Sequence, residues 1–236
     1  MAQERNIVSI LSRLLHQVRY GLMTRSVLLR LRKIGIEIEP YILYREGASD
    51  TEISDRPEYA VTEIEPEDTD NVAAALDDQS ITVTAWRDRI ASGQLGLLLS
   101  RGDEVVRYTW ADTMFCSLVN PRNTLFELHD GQAYLRYTYV KKSFRGKDLA
   151  PYLRSCMYRK LHDQGYTELL SISEFFNRPA RNFKKKLDAV PLQLRVSVQL
   201  FHRWGFDARL RHYRPERNSL DRVLPRIKPL RATRKP

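Results

Sequence analysis

Cysteine is scarce: Cys116 and Cys156 are the only two among 236 residues. Two thiols build neither a disulfide framework nor a cysteine-rich zinc site, so a reducing compartment is expected. Long apolar runs are missing too, and none approaches the ~20 residues of a transmembrane helix. The first residues lack the apolar core and small-residue cleavage site of a secretory signal, which predicts a cytoplasmic protein. His16, His129, His162, His202 and His212 show no ligand spacing with cysteines or carboxylates, so no metal site is expected. No G-x-S-x-G elbow, P-loop or internal repeat occurs, and the chemistry those patterns carry is left aside.

What is present is enough apolar material for a core, 42% of residues, alongside 29% charged residues. The formal charge of +10 is unevenly spread. Residues 1–35 net +6 and residues 203–236 net +8, leaving −4 for the body between them. Eleven carboxylates and one basic residue, Arg56, lie between Asp50 and Asp78. The high pI therefore describes the two ends and does not by itself denote a nucleic-acid-binding domain.

Ile7, Ile10, Leu11, Leu14, Leu15, Val18 and Leu22 recur at three- and four-residue steps, the spacing of one helix face. With Arg5, Arg13 and Arg19 between them, this basic amphipathic stretch suits an anionic bilayer surface, a second subunit, or the protein's own body. A second turn-rich segment over 27–34 closes at Gly35. Ile36–Tyr44 alternates as strand but is interrupted by Pro40, and 46–56 reads as linker. The expected organisation is a helical extension over 1–35, a strand and linker over 36–56, a main domain over 57–213 and a Pro/Arg-rich, extended or disordered tail over 214–236.

Within the main domain, 59–64 and 134–140 read as strands, and Leu95–Ser100 with Glu104–Trp110 as a hairpin around Gly102-Asp103. Short helices are expected over 71–76 and 84–91. Leu149, Leu153, Met157 and Leu161 make one face of a helix ending near His162. A strand at 168–173, a basic helix at 179–187 and strands at 192–201 and 206–213 complete the order. This predicts an α/β (α+β) domain with a mixed, mostly antiparallel central sheet flanked by helices, in which the Leu149 helix is a right-handed crossover.

Tyr139-Val-Lys-Lys-Ser-Phe-Arg-Gly-Lys-Asp-Leu-Ala150 passes from strand through a basic turn into that helix. Such a junction points several N–H groups at one place, reinforced by the helix dipole, and forms a nest for phosphate oxygens. Gly146 permits a tight turn, Arg145 and Lys147 add charge, and Pro151 suits the first helical turn. The alternative is an ordinary turn with solvated lysines.

The segment resembles the acyl-CoA-binding motif Q/R-x-x-G-x-G/A of the GNAT acetyltransferase superfamily, with Arg145 opening it, Ala150 closing it and Asp148 where glycine is usual. Asn177-Arg-Pro-Ala-Arg-Asn-Phe-Lys-Lys-Lys-Leu-Asp188 resembles that family's N-x-x-S-x-R-F-x-x-K-L-G signature at Asn177, Phe183, Lys186 and Leu187. Trp204-Gly-Phe206 and the Gly102–Tyr108 hairpin also resemble family elements, and the likeness spans roughly 57–213.

The resemblance implies an acetyl-CoA-dependent N-acetyltransferase acting on a primary amine of a sugar, metabolite or protein, with bacterial envelope or polysaccharide pathways as a setting. Acetyl-CoA would enter a V-shaped opening beside the strand ending at Val140. Its pantetheine would pair with backbone groups of Tyr139, Val140 and Lys141, as a peptide adds to a sheet edge. Its pyrophosphate would lie over the amides of Arg145, Gly146, Lys147, Asp148, Leu149 and Ala150. Asn177 would touch the pantetheine or cap the following helix. Glu174 is the first candidate for general base and Asp112 a weaker one. Tyr137 and Tyr139, on one face by alternation, line the acceptor pocket or pack in the core.

The competing reading is a non-catalytic scaffold whose basic ends bind anionic lipid or nucleic acid. Peripheral contact with the inner membrane face, or dimerisation, would then use residues 1–35. Residues 214–236 contain no aromatic, so sequence-specific nucleic-acid recognition is not expected.

Overall fold

The computed structural model describes residues 22–47, 56–70, 72, 82–117, 124–201 and 204–213. The amphipathic stretch before residue 22, all of 71–76 except Val72, and the tail from 214 lie outside them. No helix among the described residues is long and apolar enough to cross a membrane.

The strands are β1 (Ile36–Glu46), β2 (Ala60–Glu63), β3 (Leu95–Arg101), β4 (Glu104–Asp112), β5 (Phe115–Ser117), β6 (Thr124–Glu127), β7 (Gln132–Val140), β8 (Glu168–Glu174), β9 (Val190–Leu200) and β10 (Trp204–His212). The α-helices with described bounds are α1 (Leu22–Lys33), α2 (Val83–Ala91), α3 (Leu149–Asp163) and α4 (Arg178–Lys186). Eight strands form one sheet in the order β10-β9-β1-β8-β7-β4-β3-β2, and β5 pairs with β6 apart from it. Only the β7–β8 pair in the large sheet is parallel. This is the mixed, mostly antiparallel sheet with flanking helices read from the sequence.

The course of β1 departs from that reading. Ile36–Glu46 is one continuous strand, inserted between β8 and β9 and antiparallel to both. Pro40 is tolerated because β8 ends opposite Tyr41, and the adjoining Phe175, whose amide donates to the Pro40 carbonyl at 2.8 Å, has its own carbonyl satisfied by Arg181 in place of the missing N–H. Tyr41 and Leu43 are fully buried in a cluster with Tyr134, Leu170 and Leu192. Residues 36–46 therefore form one uninterrupted strand of the same sheet that holds the strands after residue 57. Ahead of them, α1 places Arg30, Arg32 and Lys33 in its last turn, where cations complement the helix dipole.

Leu149, Leu153, Met157 and Leu161 of α3 are each at most 1% exposed. They pack on Leu97, Leu99, Val106 and Leu135 in the largest core. On the other face Thr82 caps α2 by accepting from the Ala85 amide at 3.2 Å. That helix buries Trp86 edge-on against Tyr108 and Trp110, with ring centroids 4.8 and 5.4 Å apart. Gly96 is required there, because a Cβ would lie 2.7 Å from the Trp110 ring.

Candidate functional site

The turn between β7 and α3 contains two left-handed residues, Gly146 at φ 83° and Asp148 at φ 50°. Glycine adopts this region freely, and Asp is among the few other residues that visit it routinely. The Asp148 side chain caps no α3 amide. It turns outward to Lys186, whose Nζ lies 2.7 Å from Oδ1. A side chain at Gly146 would meet nothing within 4 Å, so the turn faces open space. Arg145, Gly146, Asp148, Leu149 and Ala150 border a cavity of about 240 Å3, completed by Asn182, Phe183 and Lys186 of α4. The backbone and charges there fit a diphosphate.

Parallel pairing of β7 with β8 runs only from Gln132↔Glu168 to Leu135↔Ser171. Beyond it β7 continues to Val140 and β8 to Glu174 unpaired with each other, so the sheet opens. A cavity of about 440 Å3 fills the opening, lined by Thr138 and Val140 on one side and Ile172, Ser173 and Glu174 on the other. The amide of Lys141 donates to Val106 of β4 at 3.0 Å. Antiparallel alternation then turns the backbone groups of Thr138 and Val140 toward the gap, and those of Tyr139 and Lys141 toward β4. The β4 register shifts between Thr109↔Thr138 and Trp110↔Arg136. Tyr137 is thus the extra residue of a bulge beside the opening.

Glu174 ends β8 at the cavity rim, opposite Tyr41. Glu39, from the inserted strand, lines the same cavity. Burial, and secondarily the nearby Glu174 charge, push the Glu39 carboxyl above the usual range. Two carboxylates that repel one another are poised for one to accept a proton.

No protein-family model and no curated protein matches the sequence. Solved structures do resemble the fold. A Staphylococcus epidermidis protein of unknown function superposes with a TM-score of 0.52 at 11% identity, covering 74% of this chain and 66% of that one. A Novosphingobium aromaticivorans protein assigned to the GNAT family of acetyltransferases gives 0.51 at 13% identity, covering 70% and 66%. A Drosophila protein gives 0.50 at 14%, covering 76% of this chain. The chain spans 57–66% of the length of these three structures. The fold is that of the GNAT superfamily.

In this GNAT fold the helix-bearing side of the cavity is cationic. Glu46 is wholly buried and contacts Arg154 at 3.2 Å, Lys184 and the Tyr158 hydroxyl. Burial raises the Glu46 carboxyl, but Arg154 and Lys184 outweigh it and hold the group down to about 2. Burial pushes the Lys184 ammonium down to about 8 against the pull of Glu46. Burial and the Glu46 charge push the Tyr158 phenol up, so it is a locked hydrogen-bond donor. Arg107 of β4 is 0% exposed and lines the cavity with Arg154 and Lys184.

Several sequence assignments change. Lys141 directs its amide to β4, so of the three residues expected to pair with pantetheine only Val140 presents its backbone to the gap. The Val140 carbonyl accepts from Arg145 Nε at 3.3 Å. Tyr139 stacks on Tyr108 at 5.7 Å on the α2 face, so core packing wins over the acceptor pocket because Tyr139 alternates with Thr138 and Val140, which face the cavity. The Tyr137 side chain lies outside the described features. Asn177 caps α4 by accepting from the Ala180 amide at 3.1 Å, while bordering the larger cavity. Asp112 is buried against Arg136 at 3.5 Å and is not placed in the cavity lining. Among the described residues no group of three or more His, Cys, Asp or Glu converges as a metal-ligand set.

Sequence reasoning missed Glu39, Glu46, Arg107, Arg154 and Lys184. Glu39 carried one available signal, an alternating strand pattern with Ile38 and Pro40 as neighbours, whereas Glu46, between Arg45 and Gly47, carried none. The cations carried none, since each stands where a helix or hairpin would ordinarily present charge to solvent.

Proposed function

We propose that the protein is an acyltransferase that moves an acetyl or related acyl group from a coenzyme A thioester to an amine. The observation that carries this reading is the opening between β7 and β8, which leads to the α3 turn with Asp148 directed away from the helix amides. The thioester, when bound, supplies the activated acyl carbon. Amides of the 145–150 turn, with Arg145, Lys147 and Lys186, hold its diphosphate. Val140 and Thr138 offer the sheet-edge groups that orient the pantetheine arm.

Glu174 accepts the amine proton directly or through a water, and Glu39 beside it shares that task. The bulge at Tyr137 turns backbone away from regular pairing at the reacting carbon, which suits an N–H that steadies the developing oxyanion. Most of the acceleration then comes from positioning and electrostatics. Acceptor identity, whether sugar, metabolite or protein amine, is a matter for screening.

The test is a thermal-shift titration with acetyl-CoA, together with release of free CoA thiol in the presence of an amine panel. A stabilisation that Gly146→Asp abolishes is the expected result. No shift at millimolar acetyl-CoA, with Gly146→Asp behaving as wild type, would overturn the assignment.

A further inference from the structure

Three cationic side chains, Arg107, Arg154 and Lys184, line the helix-bearing half of the 440 Å3 cavity, and each is at least nine-tenths buried. Glu46 is the carboxylate that faces Arg154 and Lys184. Arg107 donates to Thr138 Oγ1 through Nη2, while its Nε and Nη1 are buried with no hydrogen-bond partner among the described residues. Phe183 lies 5.8 Å from both guanidinium groups, so its ring face offsets part of their charge. A buried guanidinium with two idle donors is costly unless something anionic completes it. The opposite half of the cavity carries Glu39 and Glu174 instead, so the two halves differ in sign.

We infer that Arg107, with Arg154 and Lys184, forms a subsite for a carboxylate carried by the substrate. The inference rests on the acyltransferase reading above, and it narrows the substrate to a class. The subsite is separate from the α3 turn, where Arg145 and Gly146 border the smaller cavity. A carboxylate could arrive as the far end of a dicarboxylic acyl donor or as the carboxylate of an amino-acid acceptor. A planar guanidinium offering two N–H groups suits either.

The experiment compares binding of succinyl-CoA with butyryl-CoA, which has the same chain length without the charge. In parallel, acyl transfer is compared for β-alanine and propylamine. Discrimination of about tenfold or more in favour of the carboxylate is expected in one arm, and the arm identifies the source. Arg107→Met should erase that preference while leaving affinity for unsubstituted CoA within threefold, and Arg107→Lys should keep part of it. Should Arg107→Met fail to fold, the wild-type comparisons and Arg107→Lys still decide. Equal binding of succinyl-CoA and butyryl-CoA, with equal rates for both amines, would refute the subsite while leaving the transferase reading intact. Failure of every CoA thioester to bind would remove both.

Discussion

Replacing Glu46 by glutamine tests how tightly the charges beneath the cavity depend on one another. The carboxylate is buried completely and faces Arg154 at 3.2 Å, Lys184 and Tyr158. Glutamine keeps the shape and accepts a hydrogen bond, but it leaves both cations without an opposing charge. Removing one partner of a buried ion pair costs about 3–5 kcal/mol. In a chain of 236 residues, each lost kcal/mol lowers Tm by roughly 2–4 °C, so a fall of about 6–20 °C is expected.

The pH dependence has a definite sign. In the folded wild type the Lys184 ammonium loses its proton at about 8, because burial outweighs the pull of Glu46. Without Glu46 that loss moves lower still, whereas an unfolded lysine holds its proton to about 10.4. The unfolded variant then binds more protons than the folded one, so its stability rises with pH, starting earlier than in wild type. The gap between the two proteins should be widest in mild acid and narrow toward about pH 8, the Lys184 value. Adding Lys184→Met to Glu46→Gln returns the cluster to its original net charge and should recover at least half the loss. Thermal or urea unfolding followed by circular dichroism measures all three. A Glu46→Gln protein within about 1 kcal/mol of wild type, with no recovery in the double variant, would refute the charge-coupled account.

Glu174→Gln should lower the transfer rate by about a hundredfold, as expected for loss of a general base. Burial and then the Glu174 charge raise the Glu39 carboxyl, so removing that charge should move the acid limb of the residual rate to lower pH; a rate within threefold of wild type would dismiss Glu174 as base. Asp148→Gly relieves a left-handed non-glycine residue and releases Lys186. It should leave stability within about 1 kcal/mol, since the exposed pair contributes little, and tighten CoA binding severalfold by calorimetry. A chain beginning at residue 57 lacks β1 and should show no cooperative thermal transition, because Tyr41 and Leu43 leave the core they fill.

Local chemistry was readable from the sequence wherever contacts are local. The leucine and methionine row of α3, the Gly102-Asp103 hairpin and the β7–α3 turn all follow from residues close together in the chain. Non-local partners were not readable. Pro40 argued for an interruption, and only the early end of β8 beside it explains an unbroken β1. The bulge at Tyr137 depends on register against β4, which no single strand reveals. Arg107, Arg154 and Lys184 look like solvent-facing charges until α4 closes over the opened sheet. The Arg145–Ala150 turn was therefore legible as a candidate, while the acid pair and the cationic floor of the neighbouring cavity come from distant segments.

The placement of β1 has a consequence for synthesis of the chain. Ile36–Glu46 leaves the ribosome early, yet Ile36 aligns with Leu200 and Arg45 with Val190. At about 5–20 residues per second, its final neighbour is made roughly 8–30 s later. Until then the strand carries at least one open edge, and two before β8 is made, beside apolar side chains such as Leu43, a state that invites wrong pairing. Half of the sheet must wait until residue 200 has been made, which makes chaperone demand in the cell a property of this topology.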